Sequence, residues 1–139
     1  MKRAIMLLAM LAASGAALAQ DEVQPPTVTL TILTGKNTAT VSWTAPGDAC
    51  TNATVAEYDV RFSGSAITEC NFTSATQFST IPSPTSPGGS DCAGVSGLGC
   101  STLYYVGWKC RDSAGNWSDL VTGTMTTKNC GTSTQVFCP

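Results

Sequence analysis

The chain has 139 residues, with seven Lys and Arg against nine Asp and Glu, no His, and a net charge of −2. A mildly acidic chain of this kind is not predicted to bind nucleic acid or an anionic membrane surface. The lack of histidine removes the usual base of Ser–His catalysis and the commonest nitrogen ligand of metal sites.

The first 19 residues have the pattern of a cleaved signal peptide of bacterial type. Lys2 and Arg3 form a positive start, an apolar run continues to Leu18, and Ala17 and Ala19 are the small residues that signal peptidase requires. The run is shorter than the roughly 20 residues that span a bilayer. We therefore predict cleavage after Ala19 and a secreted product, extracellular or periplasmic, without a membrane span. Loss of Lys2 and Arg3 leaves five basic against nine acidic residues, a net charge of −4.

All seven cysteines lie in the predicted exported part. In an oxidising compartment such a set indicates a disulfide framework. No Cys-x-x-Cys occurs and no histidine is present, so neither a metal site nor a thiol redox centre is predicted, and no cofactor is expected. The cysteines are Cys50, Cys70, Cys92, Cys100, Cys110, Cys130 and Cys138.

Apolar residues alternate with polar ones, often threonine, along several short stretches. The stretches are residues 27–32, 38–43, 58–62 and 104–110. Turn-forming residues separate them, and no helical period persists for three turns. Short alternating strands with frequent turns predict one antiparallel β-sandwich. The last eleven residues show no alternation, so we predict a tail pinned by a disulfide.

Four motifs resemble those of the fibronectin type III family, in the version common in exported bacterial proteins. They are VSWTAP at 41–46, YDVRF at 58–62, VSGL at 95–98 and DSAGNWS at 112–118. The resemblance covers about residues 25–127 and implies a seven-stranded antiparallel immunoglobulin-like sandwich. The domain organisation is then a signal peptide (1–19), a lead-in (20–26), the sandwich (27–128) and a cysteine-containing tail (129–139).

The resemblance also implies which residues form the core. Trp43 corresponds to the central tryptophan of strand B, and Tyr104 stands where a tyrosine corner places its ring against the preceding loop. Cys100 and Cys110 replace a proline and a small apolar residue of the family pattern. The complete predicted core is Trp43, Tyr58, Val60, Leu98, Tyr104, Val106 and Trp108.

Disulfide connectivity is predicted on the resembled fold. Cys50 and Cys110 would lie toward one pole, so we expect them to pair, and we expect Cys130 to pair with Cys138 in the tail. Cys130 could instead reach Cys100. The unpaired thiol is then one of Cys70, Cys92 and Cys100, with Cys92–Cys100 and Cys70–Cys92 as rival pairs. An exposed leftover thiol would favour a disulfide-linked dimer or a covalent link to a partner.

Catalysis and calcium binding find little support in the sequence. The three lysines of the predicted exported part, Lys36, Lys109 and Lys128, lie on predicted polar faces or turns. The loop aspartates show no spacing typical of a glycosidase pair. Asp48, Asp112 and Asn116 could share one pole, but they supply too few oxygens for calcium. We expect the protein not to be an enzyme.

The predicted function is that of a non-catalytic binding or structural module. Its B–C and F–G loops would face a protein or polysaccharide partner, in an adhesion, spacer or accessory role. The alternative is a carbohydrate-binding module in which Trp117 stacks on a sugar, with Tyr105 and Phe72 as more distant candidates. Trp117 could also simply pack over the sheet end. A small secreted hydrolase is the remote alternative.

Overall fold

The protein is a sandwich of two antiparallel sheets, in a computed structural model that describes residues 28–47 and 53–139. One sheet has the order β1-β2-β5 and the other the order β4-β3-β6-β7. The all-β, seven-stranded antiparallel sandwich predicted from the sequence is confirmed. The predicted signal peptide and lead-in lie outside the described residues. The strands are β1 (Thr31–Thr34), β2 (Thr38–Thr44), β3 (Glu57–Ser63), β4 (Thr76–Gln77), β5 (Ser90–Ser96), β6 (Leu103–Arg111) and β7 (Val121–Thr126), with a 3-10 turn at Phe72–Ser74.

Three large aromatic side chains occupy the centre of the core. The ring of Trp43 on β2 lies 4.8 Å from that of Tyr58 on β3 and 5.7 Å from that of Trp108 on β6, measured between centroids. Both contacts are edge-on, the arrangement that aromatic quadrupoles favour. Of the seven predicted core residues six are buried, and Tyr104 is partly buried against the same cluster.

A buried hydrogen bond joins the two sheets beside this cluster. The Tyr58 hydroxyl donates to Asp91 Oδ2 on β5 at 2.7 Å, and the backbone N–H of Thr85 donates to the same oxygen at 3.2 Å. Burial is the main reason that the pKa of Tyr58 is raised above its ordinary value. The phenol therefore remains a hydrogen-bond donor throughout the pH range in which proteins are usually handled.

The corner between β5 and β6 is closed by Tyr104. Its hydroxyl accepts a hydrogen bond from the backbone N–H of Gly99 at 2.9 Å. Thr127 fastens the same corner, because its hydroxyl donates to the Gly99 carbonyl at 2.6 Å and accepts from the N–H of Thr102 at 2.9 Å. The geometry is that of the tyrosine corner that the sequence resemblance implied.

The C-terminal tail crosses the outer face of the β1-β2-β5 sheet. The N–H of Lys36 donates to the Thr134 carbonyl at 2.9 Å, and the N–H of Val136 donates to Thr38 Oγ1 at 2.9 Å. Thr38 and Thr40 point to this outer face of β2, yet each is only 4% exposed. The tail thus adds a partial third layer to the sandwich.

Two disulfides hold the tail, and their pairing differs from the predicted one. Cys92 on β5 bonds to Cys138, and Cys100 at the β5–β6 corner bonds to Cys130. The predicted Cys130–Cys138 pair is wrong, because the tail runs along the sheet instead of closing on itself. The Cys100–Cys130 alternative is the one that forms.

The remaining described cysteines carry free thiols. Cys110 is completely buried and Cys70 is exposed. The predicted Cys50–Cys110 pair is therefore wrong, since the Cys110 side chain points into the core against Tyr58 and Trp108; Cys50 lies outside the described residues. Cys70 is one of the three cysteines among which the unpaired thiol was predicted, and burial raises the pKa of the Cys110 thiol, which keeps it protonated.

Within the two described segments, no helix has the length and hydrophobicity needed to cross a membrane.

Replacing Trp43 tests the aromatic core. Trp43→Ala should lower the free energy of unfolding by about 3–5 kcal/mol, since it empties the space between the sheets. Trp117→Ala is the matched control, because Trp117 is 42% exposed, and it should change stability by less than about 1 kcal/mol. Urea denaturation followed by circular dichroism measures both values. Equal stability of the two variants would show that Trp43 does not hold the core.

Removing the Cys92–Cys138 bond tests the tail. The bond closes 46 residues, for which chain entropy predicts a stabilisation of about 4 kcal/mol. In Cys92→Ala/Cys138→Ala the amide proton of Val136 should exchange quickly, because its acceptor Thr38 is no longer held beneath it. Cys100→Ala/Cys130→Ala is the control and should keep Val136 protected. Hydrogen exchange followed by NMR distinguishes the two, and slow Val136 exchange in both variants would contradict this role.

Candidate binding surface at the loop pole

The loop between β6 and β7, residues 112–120, corresponds to the predicted F–G loop and begins with a closed turn. Asp112 Oδ1 accepts from the backbone N–H of Asn116 at 2.8 Å, and Oδ2 accepts from the Asn116 side-chain amide at 2.9 Å. The N–H of Asp112 donates to the Asn116 carbonyl at 3.0 Å. Gly115 has φ +95°, a left-handed conformation that favours glycine. The turn is therefore fixed by its own hydrogen bonds.

These hydrogen bonds also set the charge of Asp112. The Asn116 side chain, followed by the Asn116 backbone N–H, lowers the pKa of the Asp112 carboxyl below its ordinary value. Both carboxylate oxygens are already engaged within the turn. Asp112 consequently serves as an ionised turn former.

Trp117 follows the turn and lies half-exposed at the end of the sheet. It is 42% exposed and forms an isolated antiparallel bridge with Arg111 at the end of β6. The Arg111 guanidinium lies over its ring, 5.6 Å from the centroid, and Arg111 Nε is 3.0 Å from Glu57 Oε1. The indole therefore packs on the sheet end, as the sequence allowed, and also keeps part of its surface open.

Ser118 anchors the chain directly after Trp117. Its backbone N–H donates to the Cys110 carbonyl at 2.8 Å, and its hydroxyl accepts from the Cys110 N–H at 3.1 Å and donates to the Asp119 carbonyl at 3.0 Å. Because Ser118 is buried, this three-way attachment holds the position of Trp117 relative to β6.

The B–C loop, which should share this pole, is only partly described. Residues 48–52 lie outside the described part, and these include Asp48 of the calcium hypothesis and Cys50. Among the described residues no group of three or more His, Cys, Asp or Glu could hold a metal ion.

A second loop, residues 64–75, crosses the outer face of the four-stranded sheet. The side chains of Ile67 and Phe72 in this loop are buried over Gly107 of β6. A Cβ added at Gly107 would lie only 3.0 Å from Phe72 and 3.1 Å from Ile67. Glu69 fastens the loop by accepting from Lys109 and from the N–H of Leu120. The Lys109 hydrogen bond is the main reason that the pKa of Glu69 is lowered.

This crossing loop corrects one sequence candidate and locates another. Phe72 is 4% exposed, with Arg61 and Lys109 over its ring at 5.3 and 5.4 Å, so its ring cannot stack on a sugar. Tyr105 is partly exposed and lines a groove of about 430 Å³ between the loop and β7, far along the sheet from Trp117. The structure does not bring Tyr105, Phe72 and Trp117 together.

Two surface features escaped the sequence analysis. Phe137, 75% exposed, stands on the tail next to a groove of about 320 Å³ that Val95 and Val136 help to line. Arg111 lies against Trp117. A phenylalanine directly before a cysteine gives no sequence signal of exposure, and the Arg111–Trp117 contact depends on how the loop returns to β6.

Comparison with solved structures gives a fibronectin type III-like fold. The FN1–FN3 domains of chicken CNTN1 match at a TM-score of 0.50 and 17% identity, over 78% of this chain and 33% of that chain, so this chain spans about a third of that structure. The sensor domain of the anti-sigma factor RsgI4 in Pseudobacteroides cellulosolvens matches at a TM-score of 0.48 and 14% identity, over 76% of this chain and 79% of that chain. A fibronectin type III domain derived from human KIAA0970 protein matches at a TM-score of 0.48 and 12% identity, over 81% of this chain and 83% of that chain. No protein-family model and no curated protein matches the sequence.

The chain thus has the architecture of a fibronectin type III-like sandwich. At these identities the comparisons establish the fold alone.

Titration of Asp112 tests the turn that presents Trp117. A folded pKa below the unfolded value of about 3.9 means that the turn contributes stability above that pH. The contribution is lost as the pH falls through the lower, folded pKa. Carboxyl ¹³C NMR should give a midpoint below about 3.9 for Asp112. Asn116→Ala should raise the Asp112 midpoint, because it removes the side-chain hydrogen bond that lowers this pKa most. An unchanged midpoint would contradict the role of Asn116 in the turn.

Proposed function

We propose that this chain is an exported, non-catalytic binding and structural module that presents its loop pole to a protein or polysaccharide partner. The F–G loop provides the described part of the contact surface, and the B–C loop joins it in the arrangement that the sequence resemblance implies. The role is that of an adhesion, spacer or accessory domain. The observation that carries the proposal is a half-exposed Trp117 mounted on a hydrogen-bonded turn.

The rigidity of that mounting supports binding in particular. A loop that is already ordered loses little conformational entropy when a partner binds. Asp112 and Ser118 fix the loop on either side of Trp117, and Arg111 covers part of its ring. The aromatic surface that stays open is therefore pre-organised for contact.

Export is supported by the cysteine chemistry. The two disulfides are bonds that persist in oxidising compartments. Together with the signal-peptide pattern they favour an extracellular or periplasmic location in a bacterium. The exposed thiol of Cys70 is the group through which a disulfide-linked dimer or a covalent partner link would form.

Carbohydrate is the sharper alternative partner. A tryptophan with an open face stacks on the apolar face of a sugar ring, and Trp117 has the exposure for it. A hydrolase finds less support, because the oxygens of Asp112 are held by Asn116 and the Oδ2 atom of Asp91 is held by Tyr58 and Thr85. Neither carboxyl is placed to act on a substrate.

Two aromatic substitutions test these alternatives. The purified protein is applied to a glycan array and used in pull-down from a culture supernatant, beside Trp117→Ala and Phe137→Ala. Phe137 is the matched control, since it is even more exposed but lies on the tail. Glycan binding lost only in Trp117→Ala supports the carbohydrate alternative, and a protein partner lost only in that variant supports the general proposal. Equal capture by all three proteins would rule out the loop pole as the binding surface.

A further inference from the structure

The two sheets end in four edge strands, and three of them are short or covered. β1 has four residues and β4 has two. β5 has seven, but Thr80 covers its edge through two backbone hydrogen bonds with Gly94 of 3.0 and 2.9 Å. The segment that follows Thr80 contains three prolines, which obstruct further strand pairing.

The fourth edge, β7, is left open along the described chain. Its sequence, VTGTMT, contains neither a charged residue nor a proline. The N–H of Thr127 donates to the carbonyl of Thr102 on the β6 side. Because antiparallel pairing alternates along a strand, Thr122, Thr124 and Thr126 direct their N–H and C=O groups away from β6. No loop bond within the described residues reaches these three groups.

We propose that a second copy of this chain pairs antiparallel with β7, about a two-fold axis at Thr124. In this register Thr124 lies opposite Thr124 of the second copy, and Thr122 lies opposite Thr126. All three outward-facing residues then form hydrogen-bonded pairs. The two four-stranded sheets join into one continuous sheet of eight strands.

The surface of the edge is complementary to itself. The side chains of Thr122, Thr124 and Thr126 are exposed on one face, so threonine meets threonine at every position, a favourable cross-strand pair. A two-fold arrangement uses the same surface on both copies and is thereby closed. An uncharged strand also brings no like charges into contact.

The charges that flank β7 favour the same partner. Asp119 precedes the strand and Lys128 follows it, and both are exposed. The two-fold register places residue 119 opposite residue 129 of the second copy, so the end of the strand that carries Asp119 meets the end of the other strand that carries Lys128. An acidic end thus meets a basic end at both ends of the paired strands. This complementarity favours a second copy over an unrelated extended peptide.

The interface is small, so the association should be weak. Strand edges of six residues fall at the low end of interface sizes, and we expect a Kd in the range of about 10 µM to 1 mM. The proposal uses the strand edge and not the loop pole, so its failure would leave the proposed function as it stands.

Sedimentation velocity across this concentration range tests the dimer. Wild type should dimerise reversibly, and Thr124→Val should do the same because it keeps the backbone N–H. Thr124→Pro removes only the N–H that faces away from β6 and should weaken association by about tenfold or more. Circular dichroism checks that both variants are folded.

Thr124→Lys keeps the N–H and provides a second variant should the proline disturb the strand. It places two like charges opposite each other at the axis, so it should weaken association at low salt and recover at high salt. Cys70→Ser should dimerise like wild type. A monomer at about 1 mM, equal association of Thr124→Pro and Thr124→Val, or dimerisation that needs Cys70 would each overturn the proposal.

Discussion

A buried carboxylate between the sheets sets the arrangement of the whole sandwich. Asp91 lies on β5 directly opposite Trp43 of β2, and it accepts hydrogen bonds from Tyr58 of the other sheet and from the backbone of Thr85. Burying this acceptor without its donors would cost free energy of folding. Burial of Asp91 therefore requires both sheets and the segment before β5 to be in their native positions. The edge-on packing of Tyr58 against Trp43 completes the same constraint.

Both outer faces of the sandwich carry additional chain. The tail covers Thr38 and Thr40 on one side, and the crossing loop buries Ile67 and Phe72 on the other. Gly107 makes the second approach close, since no side chain separates β6 from Phe72. The consequence is a division of surfaces, in which each outer sheet face is partly covered by another segment of the chain, while the F–G loop and the β7 edge stay available.

Structural features that depend on neighbouring residues could be predicted from the sequence. Features that depend on contacts between distant segments could not. Period-two alternation identified β2, β3, β6 and part of β1, and Trp43 and Tyr104 occupy positions that their local motifs specify. The partners of Cys138 and Cys130 depend on the path of a tail without regular structure. The burial of Phe72 likewise depends on Gly107, 35 residues further along. Neither relation leaves a periodic signal.

The attachment of the tail alters how the domain would respond to tension. A pull on Pro139 passes through Cys138 directly into Cys92 on β5, and the strands β6 and β7 lie within the closed covalent loop between them. Stretching therefore cannot peel β7 from its sheet end first. The 46-residue span between the two cysteines adds almost nothing to the length of the extended chain. Under force the segment between Cys92 and Cys138, about a third of the chain, would be mechanically shielded, and extension would come from the residues before Cys92.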